Sequence, residues 1–225
     1  MKTVAGEPKM TSLSETAQEQ EWRGSFGKEY SERNQFTPAS LDSLYERKYG
    51  TTRTALNWRF LAGVPRDARV LEVGSNLGNQ LAALQQIGFT NLHGIDVQSE
   101  IVKQSQGRLP SARLVEGSAL QIPYPDGSFD LVFTSSLLIH IAPEDLVTAM
   151  SEIHRCSKTW IFGLEYYAPE MTEVPYRGHR NLLWKTDYVG MYLKNFADLE
   201  LIREERLPYL TDSNVDTMFL LRRKG

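Results

Sequence analysis

Residues 70 to 78 read Val70-Leu71-Glu72-Val73-Gly74-Ser75-Asn76-Leu77-Gly78. The apolar run of Val70, Leu71 and Val73 stops at Gly74-Ser75-Asn76. Leu77, Leu81, Leu84 and Ile87 then recur at three- and four-residue steps. Such a change of period marks a buried strand, a tight turn and a helix over about 77–87. Gly74 removes the side chain where the chain turns, so backbone approaches a ligand closely. The N–H groups that open the helix point into the same space. An ordinary strand-to-helix turn of a parallel sheet has the same outline, and short glycine motifs also match by chance. The next strand, about 91–96, adds an acid near its end in Leu92-His93-Gly94-Ile95-Asp96-Val97. Asp96 stands about 20 residues past the turn, the spacing at which a carboxylate meets ribose hydroxyls beside a Rossmann-type turn. A carboxylate accepts from two hydroxyls at once. The other role open to Asp96 is to cap the helix that begins near Ser99. Strand, turn, helix and acid in that order favour the ribose.

Composition narrows the class. A chain of 225 residues suits one large domain. The net charge of −3 gives no electrostatic footprint for nucleic acid. The single cysteine, Cys156, forms no internal disulfide framework and no cysteine zinc cluster. It reads as a small buried residue near the end of a helix, and metal independence is expected. No apolar run approaches the roughly 20 residues that span a bilayer, and the N-terminus lacks an apolar signal core. The expectation is a cytoplasmic protein without membrane or nucleic-acid partners.

Taken in order, residues 1–12 read as a disordered tail. A helix over Leu13–Trp22, capped by Ser12 or Ser14, opens an N-terminal helical lid or cap spanning 13–63. Within it, the aromatic and glycine mixture from Trp22 to Asn34 is either a structural flap or a lid over a ligand. Residues 41–62 are helical with a break at Tyr49-Gly50, and Gly63-Val64-Pro65 ends them. From 64 to 225 strands at 69–73, 91–96, 112–115, 129–134 and 159–164 alternate with helices at 77–87, 99–107 and 143–157. This alternation implies βαβ units in a parallel, doubly wound, Rossmann-like sheet. Right-handed crossovers place the strand C-termini on one edge, where the ligand crevice lies. A polar insertion at about 165–185 and a helix at 186–196 follow. Strands at 199–207 and 215–223, joined around Pro208, Asp212 and Asn214, complete seven strands with an antiparallel hairpin.

Several residues fall on that edge. Glu116-Gly117-Ser118-Ala119 ends strand three; it is either an ordinary strand-ending turn or an acidic, small polar loop that flanks an adenine ring. Val97 and Ser135 end strands two and four beside the same crevice. His140 follows strand four inside an apolar stretch; it is either a satisfied core histidine or a group that orients an acceptor or takes its proton. Glu165, Tyr166 and Tyr167 follow strand five; Glu165 is either a solvated loop acid or a group that binds an acceptor hydroxyl or amine, and for a hydroxyl acceptor it is a second base candidate. Tyr176-Arg177-Gly178-His179 sets cations and rings in the insertion; the run is either a solvated charged face or a specificity element in which Arg177 forks a carboxylate or phosphate. Asp130 opens strand four, far from the crevice, and reads as structural.

With these pieces together, the chain resembles class I S-adenosylmethionine-dependent methyltransferases. Glu72-Val73-Gly74-Ser75-Asn76-Leu77-Gly78 follows their Glu/Asp-x-Gly-x-Gly-x-Gly loop, with Asn76 in place of the middle glycine. A left-handed turn tolerates asparagine there. Asp96 matches their ribose-binding acid, Phe129-Asp130-Leu131-Val132-Phe133 their fourth strand, and the last two strands their terminal hairpin. A narrower similarity, to the pseudaminic acid biosynthesis-associated methylases, rests on three stretches. These are Trp22-x-Gly24-x-Phe26-Gly27-x-x-Tyr30-x-x-Arg33-Asn34, Leu138-Ile139-His140-Ile141, and Glu165-Tyr166-Tyr167 with Glu173-Val174-Pro175-Tyr176-Arg177-Gly178-His179.

The resemblance implies S-adenosylmethionine as cofactor and S-adenosylhomocysteine as product, with in-line displacement onto a small polar acceptor: a sugar, an amino acid or a natural-product intermediate. It assigns Gly74, Ser75 and Asn76 to the methionine part and Glu72 to its amino group. Asp96 takes the ribose, and Ser118 and Ala119 the adenine. Tyr30, Arg33 and Asn34 fold over the methionine end. His140, Glu165, Tyr166, Tyr167, Tyr176, Arg177 and His179 shape the acceptor site. Two other classes stay in view. A nicotinamide-dependent oxidoreductase is disfavoured by the irregular glycine spacing and the terminal hairpin; a non-catalytic cofactor-binding protein shares the same motifs.

Overall fold

The computed structural model describes residues 15–224. Its strands are β1 (Arg69–Val73), β2 (Asn91–Asp96), β3 (Arg113–Glu116), β4 (Phe129–Ser135), β5 (Ser157–Tyr166), β6 (Thr172–Glu173), β7 (Trp184–Lys185), β8 (Leu199–Pro208) and β9 (Val215–Arg223). Seven of them form one sheet in the order β3-β2-β1-β4-β5-β9-β8. The first five run parallel, and β9 pairs antiparallel with both β5 and β8. This is the expected Rossmann-like sheet with its terminal hairpin.

Both faces of the sheet are covered, which is why its strands read as near-continuous apolar runs. Val70, Leu131, Phe133, Phe162, Leu164 and Leu220 point into one core. Leu71, Val73, Val132, Ile161, Phe219 and Leu221 point into the other. The first face is closed by α3 (Pro38–Tyr49), α4 (Arg53–Phe60) and α5 (Asn79–Gln86), through Leu41, Leu56, Phe60, Leu81 and Leu84. The second is closed by α7 (Pro143–Cys156) and α8 (Tyr188–Asn195), through Leu146, Met150, Ile153, Tyr188 and Tyr192. Each such buried side chain contributes roughly 1.5–3 kcal/mol. The remaining helices are α1 (Ala17–Arg23), α2 (Ser25–Arg33) and α6 (Ser99–Arg108). No described helix is long and apolar enough to cross a membrane.

Some expectations shift. The disordered tail and the caps at Ser12 and Ser14 lie outside the described residues. The first described helix starts at Ala17, because Thr16 and Glu19 form a reciprocal capping box. The helix after the glycine turn starts at Asn79 rather than Leu77, since Asn76 and Gly78 both hold left-handed φ values of 44° and 73°. The aromatic stretch from Trp22 to Asn34 is helical, as α1 and α2 meeting at Gly24. Strand five reaches Tyr166 because β9 pairs along it as far as Asp216, so Glu165 and Tyr166 belong to the strand. Within the insertion, β6 and β7 form a small antiparallel ribbon that the sequence did not signal.

Candidate active site

The strand C-termini and the loops that leave them enclose a cavity of about 290 Å³. At its centre Gly74 adopts φ 73°; a Cβ there would meet Leu137 Cδ1 at 2.6 Å. Ser75 N–H donates to the Ile95 carbonyl at 2.8 Å, which lays the turn across the end of β2. Asn76 N–H donates to Asp96 Oδ2 at 2.9 Å and Gln98 N–H to Asp96 Oδ1 at 3.0 Å. Asp96 therefore braces the turn rather than capping α6, whose N-cap is Gln98. Each carboxylate oxygen keeps a lone pair for a ligand. Burial raises the Asp96 carboxyl above its ordinary range, and the two N–H donors oppose the rise.

Glu72 lies beside the turn, 2% exposed. Its Oε2 has no hydrogen-bond partner among the described residues, although Glu72 lines the cavity. Burial drives its carboxyl well above the usual range, with Arg53 opposing and Asp96 adding to the effect. An unpartnered buried carboxylate oxygen marks a place for a donor the protein does not itself supply. Val97, Ser118, Ala119 and Ser135 also line the cavity.

The roof is built by α1 and α2. Trp22, Phe26 and Tyr30 form an edge-to-face stair with centroids 5.1–5.2 Å apart. The stair rests on His140, 4.6 Å from Trp22, and on Tyr176, 5.9 Å from Phe26. The roof is also bonded to the floor. Asn76 Nδ2 donates to Ser31 Oγ at 2.7 Å, and Asn79 Nδ2 to the Asn34 carbonyl at 2.7 Å. Arg23 Nη1 donates to Glu116 Oε1 at 2.6 Å and to the Val97 carbonyl. Gly27 permits the corner, since a Cβ there would meet the Trp22 carbonyl oxygen at 1.8 Å.

His140 lies in a 3₁₀ turn over Leu138–His140, 5% exposed, and lines the cavity. Nδ1 lies 2.6 Å from the Leu182 carbonyl. That carbonyl assigns the proton to Nδ1 and leaves the lone pair on Nε2. Burial lowers the imidazole pKa to about 4, the Leu182 bond opposing, so the ring is neutral near pH 7.

Five expected site residues lie outside the cavity lining. Arg33 is exposed and pairs with Glu29 at 3.4 Å, one helical turn back. Glu165 is fully buried and accepts the Leu137 and Ile139 N–H groups at 3.3 and 3.4 Å. Burial pushes its carboxyl up to about 7. It thus supports the turn that carries His140, behind the cavity wall rather than in its lining. Tyr167 stacks under Arg206, whose guanidinium is 3.3 Å from the ring centroid. Arg177 and His179 are exposed, in a tight turn closed by mutual Tyr176–His179 backbone bonds of 2.9 and 3.0 Å. His179 touches Phe26 from outside, at 5.2 Å between rings. Tyr30, Asn34, Tyr166 and Tyr176 do line the cavity.

The sequence left several lining residues unassigned: Gln98, Tyr45, Lys48 and Tyr49. The last three share one face of α3 at i, i+3 and i+4. That spacing is readable, but it does not say which sheet edge the face meets. Asp130 is structural, accepting the Arg69 N–H at 2.8 Å. Cys156 is buried and its thiol pushed up to about 11 by burial. Among the described residues no three His, Cys, Asp or Glu side chains gather as a metal-ligand set.

Comparison with known proteins adds several likenesses. Residues 71–159 match the methyltransferase domain family model. An uncharacterized methyltransferase of Synechocystis sp. is 32% identical over 90 residues, covering 40% of this chain and 42% of its own. The demethylmenaquinone methyltransferase of Chlorobaculum tepidum is 28% identical over 130 residues, covering 58% and 49%. The chain thus spans less than half the length of these curated relatives. Among solved structures, the 1,6-didemethyltoxoflavin-N1-methyltransferase of Burkholderia thailandensis, bound to 1,6-didemethyltoxoflavin and S-adenosylhomocysteine, superposes with TM-score 0.62. Its identity is 17%, and 76% of each chain is covered. The PH0226 protein of Pyrococcus horikoshii gives TM-score 0.61 at 15% identity over 81% of this chain and 90% of that one. The fold is the one these two solved structures share.

Proposed function

We propose that the protein is an S-adenosylmethionine-dependent methyltransferase acting on a small polar acceptor. One arrangement carries the reading: Asp96, bonded to the glycine turn, shares a cavity with the unpartnered carboxylate of Glu72. The residues present suit the cofactor. A ribose finds free lone pairs on Asp96, and an ammonium finds Glu72, whose raised pKa falls when a cation settles beside it. Gly74, Ser75 and Asn76 receive the methionine part, Ser118 and Ala119 flank the adenine, and Val97 and Ser135 complete the wall. Tyr30 and Asn34 close the methionine end from the roof. The cofactor supplies a methyl group already activated as a sulfonium.

The protein's work is then alignment and exclusion of water. Holding donor and acceptor in line is worth up to ~7–11 kcal/mol in favourable cases. The roof of Trp22, Phe26 and Tyr30 keeps solvent from the reacting centre. His140 offers Nε2 to an acceptor hydroxyl. With a pKa of about 4 it is a weak base, so its part is to orient that hydroxyl. Tyr166 and Tyr176 flank the acceptor. We place the chain nearer the pseudaminic acid-associated methylases within this class. Their motif residues Trp22, Phe26, Tyr30, His140 and Tyr176 form one contiguous aromatic cluster here.

The test is transfer of label from methyl-labelled S-adenosylmethionine into the low-mass fraction of a bacterial extract. Protein-dependent labelling of a small molecule is expected. Tight donor binding without any transfer would favour a non-catalytic cofactor-binding protein. Binding of NADH in place of the donor would favour an oxidoreductase.

A further inference from the structure

Beyond the turn, the cavity continues under α3 to the end of β5, where Lys48, Tyr49 and Tyr166 line it. In the sheet order this end lies across β1 and β4 from the ribose acid on β2. Lys48 Nζ is 3.9 Å from the ring centroid of Tyr209, 4.9 Å from Tyr49 and 5.3 Å from Tyr166. It donates to Asp216 Oδ2 at 3.2 Å. The hydroxyls of Tyr49 and Tyr209 donate to the same carboxylate. Asp216, 1% exposed, thus accepts from three donors and lies outside the cavity lining.

The ammonium is placed differently. It has three N–H groups and uses one on Asp216; no other acceptor bonds it among the described residues. A second cation, Lys185, stands 5.4 Å from the Tyr166 ring and is bonded to Asn214. An incoming cation would meet Lys48 with Asp216 already enclosed. An incoming anion would meet free N–H donors on a cation held in place by Asp216 and three ring faces.

We propose that Lys48 is the anion-holding residue of the acceptor subsite, and that the acceptor carries an oxyanion, a carboxylate or a phosphate, seated between the Tyr49 and Tyr166 rings. The proposal moves the anion site from Arg177, exposed in the insertion turn, to the far end of the cavity. Its place as an acceptor subsite rests on the methyltransferase reading.

Ligand-observed NMR with benzoate, phenyl phosphate and the neutral benzyl alcohol tests it, in excess S-adenosylhomocysteine. Saturable binding of at least one anion is expected, weakened at least tenfold in Lys48→Met and no more than threefold in Lys48→Arg. Preference for benzoate assigns a carboxylate, and preference for phenyl phosphate a phosphate. Asp216→Asn removes the competing charge and should tighten the anion at least threefold. Anions binding no better than benzyl alcohol, or equally well to Lys48→Met, overturn the proposal. So does an anion affinity unchanged or weakened by Asp216→Asn in protein that still binds S-adenosylhomocysteine. Titration of S-adenosylhomocysteine alone separates the two claims: if wild-type protein does not bind it, the methyltransferase reading fails while the anion result stands by itself.

Discussion

At the scale of single residues, Asp96 and His140 carry the account. Asp96 holds the Asn76 and Gln98 N–H groups while facing the cavity. Asp96→Ala should weaken S-adenosylhomocysteine at least tenfold by isothermal titration. It should also cost about 1–3 kcal/mol of stability, since two N–H groups lose their acceptor; unchanged affinity would remove Asp96 from the site. His140→Gln should lower turnover by roughly a hundredfold with donor affinity kept within twofold. Because its pKa is about 4, the wild-type rate should show no inflection near pH 6.5 that the variant abolishes. The glycine turn, Asp96 and His140 were legible in the sequence because strand order places loop residues on one edge. Which way a side chain faces was not. Glu165 and Tyr167 alternate with Tyr166 along the chain and face away from the cavity Tyr166 lines. Arg33 turns back to Glu29.

At the scale of elements, the alternation of strands and helices from 69 onward was legible to within about two residues at each end, since both faces of the sheet demand apolar strands and each helix carries one apolar stripe. The roof was less so. Trp22, Phe26 and Tyr30 have helical spacing, but an exposed helix with a glycine corner gives no strong apolar face, and its bonds to Asn76 and Asn79 are long-range. The β6–β7 ribbon pairs only two residues on each side, too few to leave a pattern. Gly27→Ala tests the roof: its Cβ would collide with the Trp22 carbonyl at 1.8 Å. Faster limited proteolysis between α1 and α2 and at least tenfold weaker donor binding are expected, with the main melting transition moved by only a few degrees. An undisturbed proteolysis pattern would show that the corner tolerates a side chain.

At the scale of the whole molecule, two buried groups pull stability in opposite directions with pH. His140 titrates near 4 in the folded chain against 6.5 ordinarily. Its contribution is full above pH 6.5 and is lost as pH falls through 4. Glu165 titrates near 7 against 4.5. Its contribution is full below pH 4.5 and is lost as pH rises through 7. Each amounts to about 3 kcal/mol at full extent. Glu165→Gln should therefore gain on the wild type as pH rises from 5 to 8, read by chemical denaturation at both ends. An offset independent of pH would contradict the assignment. The most direct test of the central claim is a crystal structure with S-adenosylhomocysteine. The account predicts its ribose on Asp96, its amino group on Glu72 and its adenine beside Ser118 and Ala119. The nucleoside bound elsewhere, or absent after soaking at saturating concentration, would contradict it.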